Sequence, residues 1–70
     1  MKLSARNVLK GKVVGIDKGK VTAIVRIDVG GGTIITSSVT MAALEDLKLK
    51  KGSKAMAIIK ASEVILGVDE

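Results

Sequence analysis

The 70-residue sequence contains no cysteine, no histidine, no proline and no aromatic residue. Without cysteine no disulfide can form, and without cysteine and histidine the usual ligands of a structural zinc ion are missing. A chain of this length buries only about 60% of its unfolded surface, so a single copy is expected to be marginally stable. Because disulfides and a structural zinc site are both missing, oligomerisation is the remaining way to stabilise the fold.

The missing residue types also narrow the function. Histidine is the commonest general base and cysteine the strongest ordinary nucleophile, and the chain has neither. The seven acidic residues are scattered over predicted turns, strand faces, the helix and the tail, which indicates solvated surface rather than a paired carboxylate site. We therefore expect no enzymatic activity.

Long apolar runs are missing as well. The first ten residues lack the apolar core of a signal peptide, and no stretch approaches the roughly 20 apolar residues of a membrane span. We therefore expect a cytoplasmic protein that has no membrane partner.

What the sequence does contain is aliphatic residues and lysine. The hydrophobic fraction of 47% is typical of a folded protein, and the formal net charge is +5. This charge should attract anions, and it leaves a basic nucleic-acid-binding module as the alternative function. Single-stranded nucleic acid is usually held by stacking on aromatic side chains, so their absence makes that alternative the weaker one.

Alternation of apolar and polar residues predicts short strands separated by glycine-containing turns, with three consecutive glycines at 30–32 closing a hairpin. The predicted strands are 8–16, 21–29, 33–40, 53–60 and 63–68. Gly11 and Gly15 interrupt the first strand, which indicates a bulge or a close backbone approach.

The period changes after the third strand, where apolar residues recur at helical spacing from Met41 to Leu47. Thr40 can cap this helix and Gly52 follows as a stop signal, which predicts a helix of about two turns. Five short strands with one helix after the third are typical of a small, all-β, OB-like barrel.

Several strands are apolar on both faces, so one face can fill the barrel while the other needs cover. We expect a second copy of the chain to supply it. The simpler alternative is that a small barrel exposes scattered aliphatic side chains, which is normal.

Hydrogen-bond donors are concentrated near the two ends of the chain and at the end of the third strand. Hydroxyls, backbone N–H groups, a guanidinium and an ammonium together suit an oxyanion. Taken singly, each has an ordinary explanation: Thr40 as a helix cap, Arg6 as an ion-pair partner, Lys60 as a solvated charge at a strand end.

The strings "SARN" at 4–7, "LKGKVVGI", "VTAIVRIDVGGGTIITSSVT" and "AIIKASEVILG" closely resemble the molbindins, small molybdate-binding proteins made of the Mop domain that also occurs in TOBE-type regulators and transporters. The resemblance covers residues 4–67, so residues 1–70 are expected to form a single Mop domain. It implies an OB-like fold with exchanged strands, assembled as a hexamer of three dimers. It also implies that molybdate, and tungstate as well, is held at subunit interfaces for storage, buffering or homeostasis of molybdenum.

The resemblance also assigns site residues. It implies a hydroxyl donor at Ser4, contributions around the anion from Ala5 and Arg6, and a hydroxyl donor at Thr40. It further implies donation from Lys60 and from the Ala61 N–H, with Ser62 as a weaker candidate. Val8 stands where many members have glutamine, and Asn7 receives no role.

Overall fold

The computed structural model describes residues 4–69. Within them the elements are β1 (Asn7–Lys18), β2 (Thr22–Asp28), β3 (Ile34–Thr40), α1 (Met41–Asp46), β4 (Lys54–Ile59) and a 3-10 turn (Ala61–Glu63). All strand pairs are antiparallel and their order in the sheet is β3-β2-β1-β4. The predicted all-β class, with a curled OB-like sheet and one short helix, is confirmed. No helix in these residues is long and apolar enough to span a bilayer.

The first strand connects the sheet, because one part of it pairs with β4 and the next part pairs with β2. Residues 7–12 of β1 pair with β4, and residues 12–18 pair with β2. A register shift between Val13 and Gly15 marks a β-bulge, which bends the strand and increases its twist. The bulge predicted from the glycines is therefore confirmed, although β1 runs to Lys18 and takes in part of the predicted turn.

Gly11 marks the close backbone approach that the sequence predicted. A Cβ atom at this position would lie 2.4 Å from the carbonyl oxygen of Asp28 and 2.7 Å from Cγ2 of Ile27. Both contacts are far inside van der Waals distance, so only glycine fits where β1 passes from one neighbour to the other.

The core lies on one face of the sheet beneath the helix. Alternate residues of β2 are buried, which confirms the apolar face predicted for this strand. The buried side chains are Val13, Ala23, Val25, Ile27, Leu44 and Ala57. Five of these six lie on β1, β2 or the helix, whereas β4 contributes one alanine.

The helix begins where the sequence predicted, and its span of Met41–Asp46 fits the predicted length of about two turns. The Thr40 hydroxyl oxygen accepts a hydrogen bond from the Ala43 N–H at 3.0 Å, which confirms the cap. The helix ends because Lys48 adopts a left-handed conformation (φ 52°) and the Leu49 N–H donates to the Leu44 carbonyl oxygen at 3.1 Å. The prediction that Gly52 stops the helix is wrong, since Gly52 lies in the turn before β4.

The predicted fifth strand at 63–68 is not formed in this chain. After β4 the backbone turns, with the Glu63 N–H donating to the Lys60 carbonyl oxygen at 2.9 Å. A strand needs a neighbouring backbone to bond with, and within residues 4–69 the tail follows neither edge of the sheet. Ile65 and Leu66 remain about nine-tenths exposed. The sequence pattern is that of a strand, but no backbone within residues 4–69 pairs with it.

Candidate oxyanion site

The pairing of β1 with β4 brings the two terminal motifs to one end of the sheet. The outermost rung joins Asn7 to Ile59. Arg6 directly precedes Asn7, and Lys60 directly follows Ile59, so the two cations leave the ladder on neighbouring strands. The segments 4–6 and 60–62, which hold six of the seven predicted site residues, therefore start from the same rung.

A side-chain hydrogen bond ties the two motifs together. The Asn7 Nδ2 donates to the Ile59 carbonyl oxygen at 3.1 Å, across 52 positions of sequence. Every other side-chain hydrogen bond within residues 4–69 joins residues nine or fewer positions apart. Sequence reasoning assigned no role to Asn7, because the carbonyl group that it contacts is identified only by the pairing of the strands.

Two cations lie at this end of the sheet, and the exposed Glu63 follows in the 3-10 turn. Arg6 and Lys60 are both exposed. Among the residues that the structure describes, the one ion pair joins Arg26 to Asp17 at 2.7 Å, on the outer face of the β1–β2 pair. Neither Arg6 nor Lys60 has a carboxylate partner there, so both are available to an anion, and hydrogen bonds to charged groups are about twice as strong as neutral ones.

Neutral donors accompany the two cations. The hydroxyls of Ser4 and Ser62 are exposed. The N–H groups of Ala61 and Ser62 open the 3-10 turn and donate to no acceptor within residues 4–69. Ala5 is half-buried and can contribute only backbone groups to a ligand. This set of donors with positive charge suits a small tetrahedral dianion.

Thr40 is not brought to this end of the sheet. It pairs with Thr22, at the end of β2 that lies beside the last residues of β1, whereas Asn7 is the first residue of β1. Its hydroxyl oxygen accepts the helix-capping bond, but a hydroxyl also has a proton to donate. Within one chain, Thr40 and Lys60 therefore lie at opposite ends of the sheet.

The sheet also leaves an apolar groove between the free edges of β3 and β4, with a volume of about 370 Å³. Its apolar lining includes Val25, Ile27, Val39, Leu47, Leu49 and Ile58. None of the predicted site residues lines this groove. It is a separate feature, and its chemistry suits an aliphatic segment rather than an anion.

This fold recurs among known proteins. A family model described as "TOBE domain" matches residues 3–66. The chain therefore belongs to the TOBE domain family, and the resemblance to the molbindins is confirmed.

Individual relatives agree with this assignment. A probable molybdenum-pterin-binding protein of Haemophilus influenzae is 56% identical, with 99% of this chain and all of the relative covered. Molybdenum-pterin-binding protein 1 of Clostridium pasteurianum is 46% identical over 94% of this chain and 97% of its own length.

Solved structures show the same fold. The cytoplasmic molybdate-binding protein ModG, solved with molybdate bound, superposes with a TM-score of 0.95 at 54% identity, and 99% of this chain corresponds to 49% of that one. MopII from Clostridium pasteurianum superposes with a TM-score of 0.90 at 43% identity, covering 96% of this chain and all of MopII.

Proposed function

We propose that this protein binds molybdate, and tungstate as well, as free oxyanions. The observation that carries the proposal is the β1–β4 register, which places Arg6 and Lys60 beside the same rung with no carboxylate partner among residues 4–69. The ModG structure supports it, because a protein of the same fold and 54% identity holds molybdate. Nothing in these comparisons supports the nucleic-acid alternative.

The proposed site uses both charged and neutral donors. Arg6 offers a guanidinium fork and Lys60 a point charge. Ser4 donates a hydroxyl, the Ala61 N–H a backbone proton, and Ser62 is the weaker candidate. Ala5 contributes through its backbone beside the anion.

Thr40 joins the proposed site from a second copy of the chain. One chain separates Thr40 from Lys60 by the length of the sheet, so a site that uses both must lie between copies. The exposed tail at 64–69 and the apolar groove support an assembly with exchanged strands, because an extended aliphatic segment is the kind of occupant that the groove fits. A hexamer of three dimers, each chain forming a single Mop domain over residues 1–70, is the assembly we propose.

The bare anion fits this chain better than a pterin. Several relatives are named for molybdenum-pterin binding, but a pterin ring is usually held by stacking, and this chain has no aromatic residue to stack on it. We propose a cytoplasmic role in storing or buffering molybdenum, with no reaction catalysed.

Calorimetric titration with molybdate, tungstate and sulfate tests the proposal. We expect molybdate and tungstate to bind and sulfate, which has the same charge in a smaller ion, to bind more weakly. Arg6→Ala or Lys60→Ala should each weaken molybdate binding about 10- to 100-fold, since a hydrogen bond to a charged group contributes about 1.5–3 kcal/mol. Lys51→Ala, which removes an exposed charge from a turn away from the site, is the matched control.

Two results would contradict the proposal. One is the absence of heat with molybdate, and the other is equal affinity for molybdate and sulfate. Light scattering tests the assembly separately: a monomer mass at micromolar concentration would exclude a site between copies. Binding of single-stranded RNA or DNA at physiological salt, with no response to oxyanions, would favour the alternative function.

A further inference from the structure

Asn7 stands between the two halves of the proposed site without facing its ligand. It is half-buried, and its amide donates to the Ile59 carbonyl group of the neighbouring strand rather than outward to solvent. The residues on either side of this bond, Arg6 and Lys60, are exposed. Asn7 therefore joins two backbone segments, each one residue away from a cation.

The position of the bond matters because a two-stranded ladder frays at its end. The rung between Asn7 and Ile59 is the outermost one, and beyond it the two chains separate into the segments 4–6 and 60–62. Strand ends open more readily than central rungs because fewer contacts hold them. Two cations that leave the same rung also repel each other when no anion lies between them. A side-chain bond across this rung opposes both effects.

We infer that Asn7 is a positioning residue that sets the spacing between the Arg6 and Lys60 arms and thereby selects molybdate over smaller tetrahedral dianions. This inference rests on the proposed function. Molybdate and sulfate carry the same charge, so a site can separate them only by cavity size and donor placement. When the rung between Asn7 and Ile59 stays paired, the segments that carry Arg6 and Lys60 keep one spacing. When the rung frays, these segments can adjust to anions of several sizes.

The experiment compares Asn7→Leu and Asn7→Ala with the unmodified protein. Leucine keeps most of the side-chain volume without donating a hydrogen bond, and alanine removes the side chain beyond Cβ. Affinities for molybdate and sulfate are measured by calorimetry, mass by light scattering and the midpoint of thermal unfolding by circular dichroism. Ala57→Gly is the matched control, because Ala57 is buried on the same strand, two residues from Ile59.

We expect both Asn7 variants to lose at least tenfold in molybdate affinity and to lose less for sulfate, so that the ratio of the two affinities falls at least threefold. Ala57→Gly should lower the unfolding midpoint and leave that ratio unchanged. The ratio separates the roles, because a residue that only stabilises the fold would weaken both anions alike. If one Asn7 variant no longer forms the oligomer, the molybdate and sulfate affinities of the other variant test the inference.

Asn7 variants that keep both affinities within twofold, while the unmodified protein binds molybdate tightly, would overturn this inference and leave the proposed function standing. An equal loss for molybdate and sulfate would also overturn it. An unmodified protein that binds no molybdate would overturn the proposed function and this inference with it.

Discussion

The two halves of β1 differ in what surrounds them. In the half that pairs with β2, which we call the buried half (residues 13–18 with β2), Val13 and Val25 are each 1% exposed. In the half that pairs with β4, which we call the open half (residues 7–12 with β4), Val8 and Ile58 are more than 40% exposed although they face each other across the ladder. One half of β1 therefore contributes to the packed core, and the other half belongs to an uncovered surface.

The two halves differ in the property that they support: the buried half contributes to stability, and the open half carries the proposed anion site. The buried half has aliphatic side chains that remove apolar surface from water, at about 25 cal/mol per Å². The open half ends in two cations without carboxylate partners within residues 4–69, and burying such charges before an anion arrives would be costly. If the open half holds the proposed anion site, it must stay open in the single chain, and its aliphatic side chains are then left for the proposed assembly to cover.

The largest expected effect is at the junction of the two halves. Gly11→Val places a branched side chain against the Asp28 carbonyl oxygen and Ile27, and we expect a loss of about 3 kcal/mol or more in the free energy of unfolding. Urea unfolding measures it. Gly15→Val, where a Cβ atom would meet only Nη1 of the flexible Arg26 side chain at 3.5 Å, is the control and should lower the midpoint much less. Equal midpoints for the two variants would refute the close approach.

The next prediction compares the halves directly. Val25→Ala removes two buried methyl groups from the core, and we expect a loss of about 2 kcal/mol in unfolding free energy at any protein concentration. Ile58→Ala removes atoms that are partly exposed in the single chain. Its effect on the unfolding free energy should instead depend on protein concentration, large where the oligomer is populated and small once dilution dissociates it, because the substitution acts through association. An Ile58→Ala effect that is independent of concentration would place this side chain outside any subunit interface.

A smaller and opposite effect is expected at the end of the helix. Lys48 has φ 52°, a conformation that costs a non-glycine residue about 1 kcal/mol or more, so Lys48→Gly should stabilise the protein by up to about 1 kcal/mol. Thermal unfolding shows it as a raised midpoint. Lys50→Gly, at a position without positive φ, should not stabilise. A lowered midpoint for Lys48→Gly would be inconsistent with the left-handed cap.

The smallest expected effect is at the exposed ion pair of the buried half. Asp17→Asn breaks the 2.7 Å contact with Arg26. Because the side chains of Arg26 and Asp17 are 42% and 68% exposed, the unfolding free energy should change by less than about 0.5 kcal/mol. Chemical denaturation at low and high salt checks it. A larger loss would mean that surface charge, rather than the aliphatic core, stabilises this half.

Local signals predicted much of the fold correctly. The alternation in β2, the threonine that caps the helix and the glycine at the close approach each depend on residues near in sequence or on backbone sterics. Gly52 was wrongly predicted as the stop signal of the helix, because Lys48 takes the left-handed role usually filled by glycine, and residue type gives no sign of this.

The other wrong or missing predictions concern pairing between residues that are far apart in sequence. Residues 63–68 have a strand pattern, but a strand also requires a partner, and periodicity does not tell whether that partner lies in the same chain. All seven predicted site residues were expected to act together, and the register of β1 with β4 brings six of them to one end of the sheet. Thr40 was assigned to the same site by resemblance, yet β2 and β3 carry it to the opposite end of the sheet.

The rung between Asn7 and Ile59 also has a consequence for the order of folding during synthesis. It closes a loop of 52 residues, and the entropy lost on closing a loop rises with its length. β1 leaves the ribosome before its partner β4 is translated, whereas the β2–β3 hairpin can form before β4 emerges. The end of the sheet that holds the proposed anion site therefore completes only after β4 has emerged, so a nascent chain that stops before β4 carries Arg6 without Lys60.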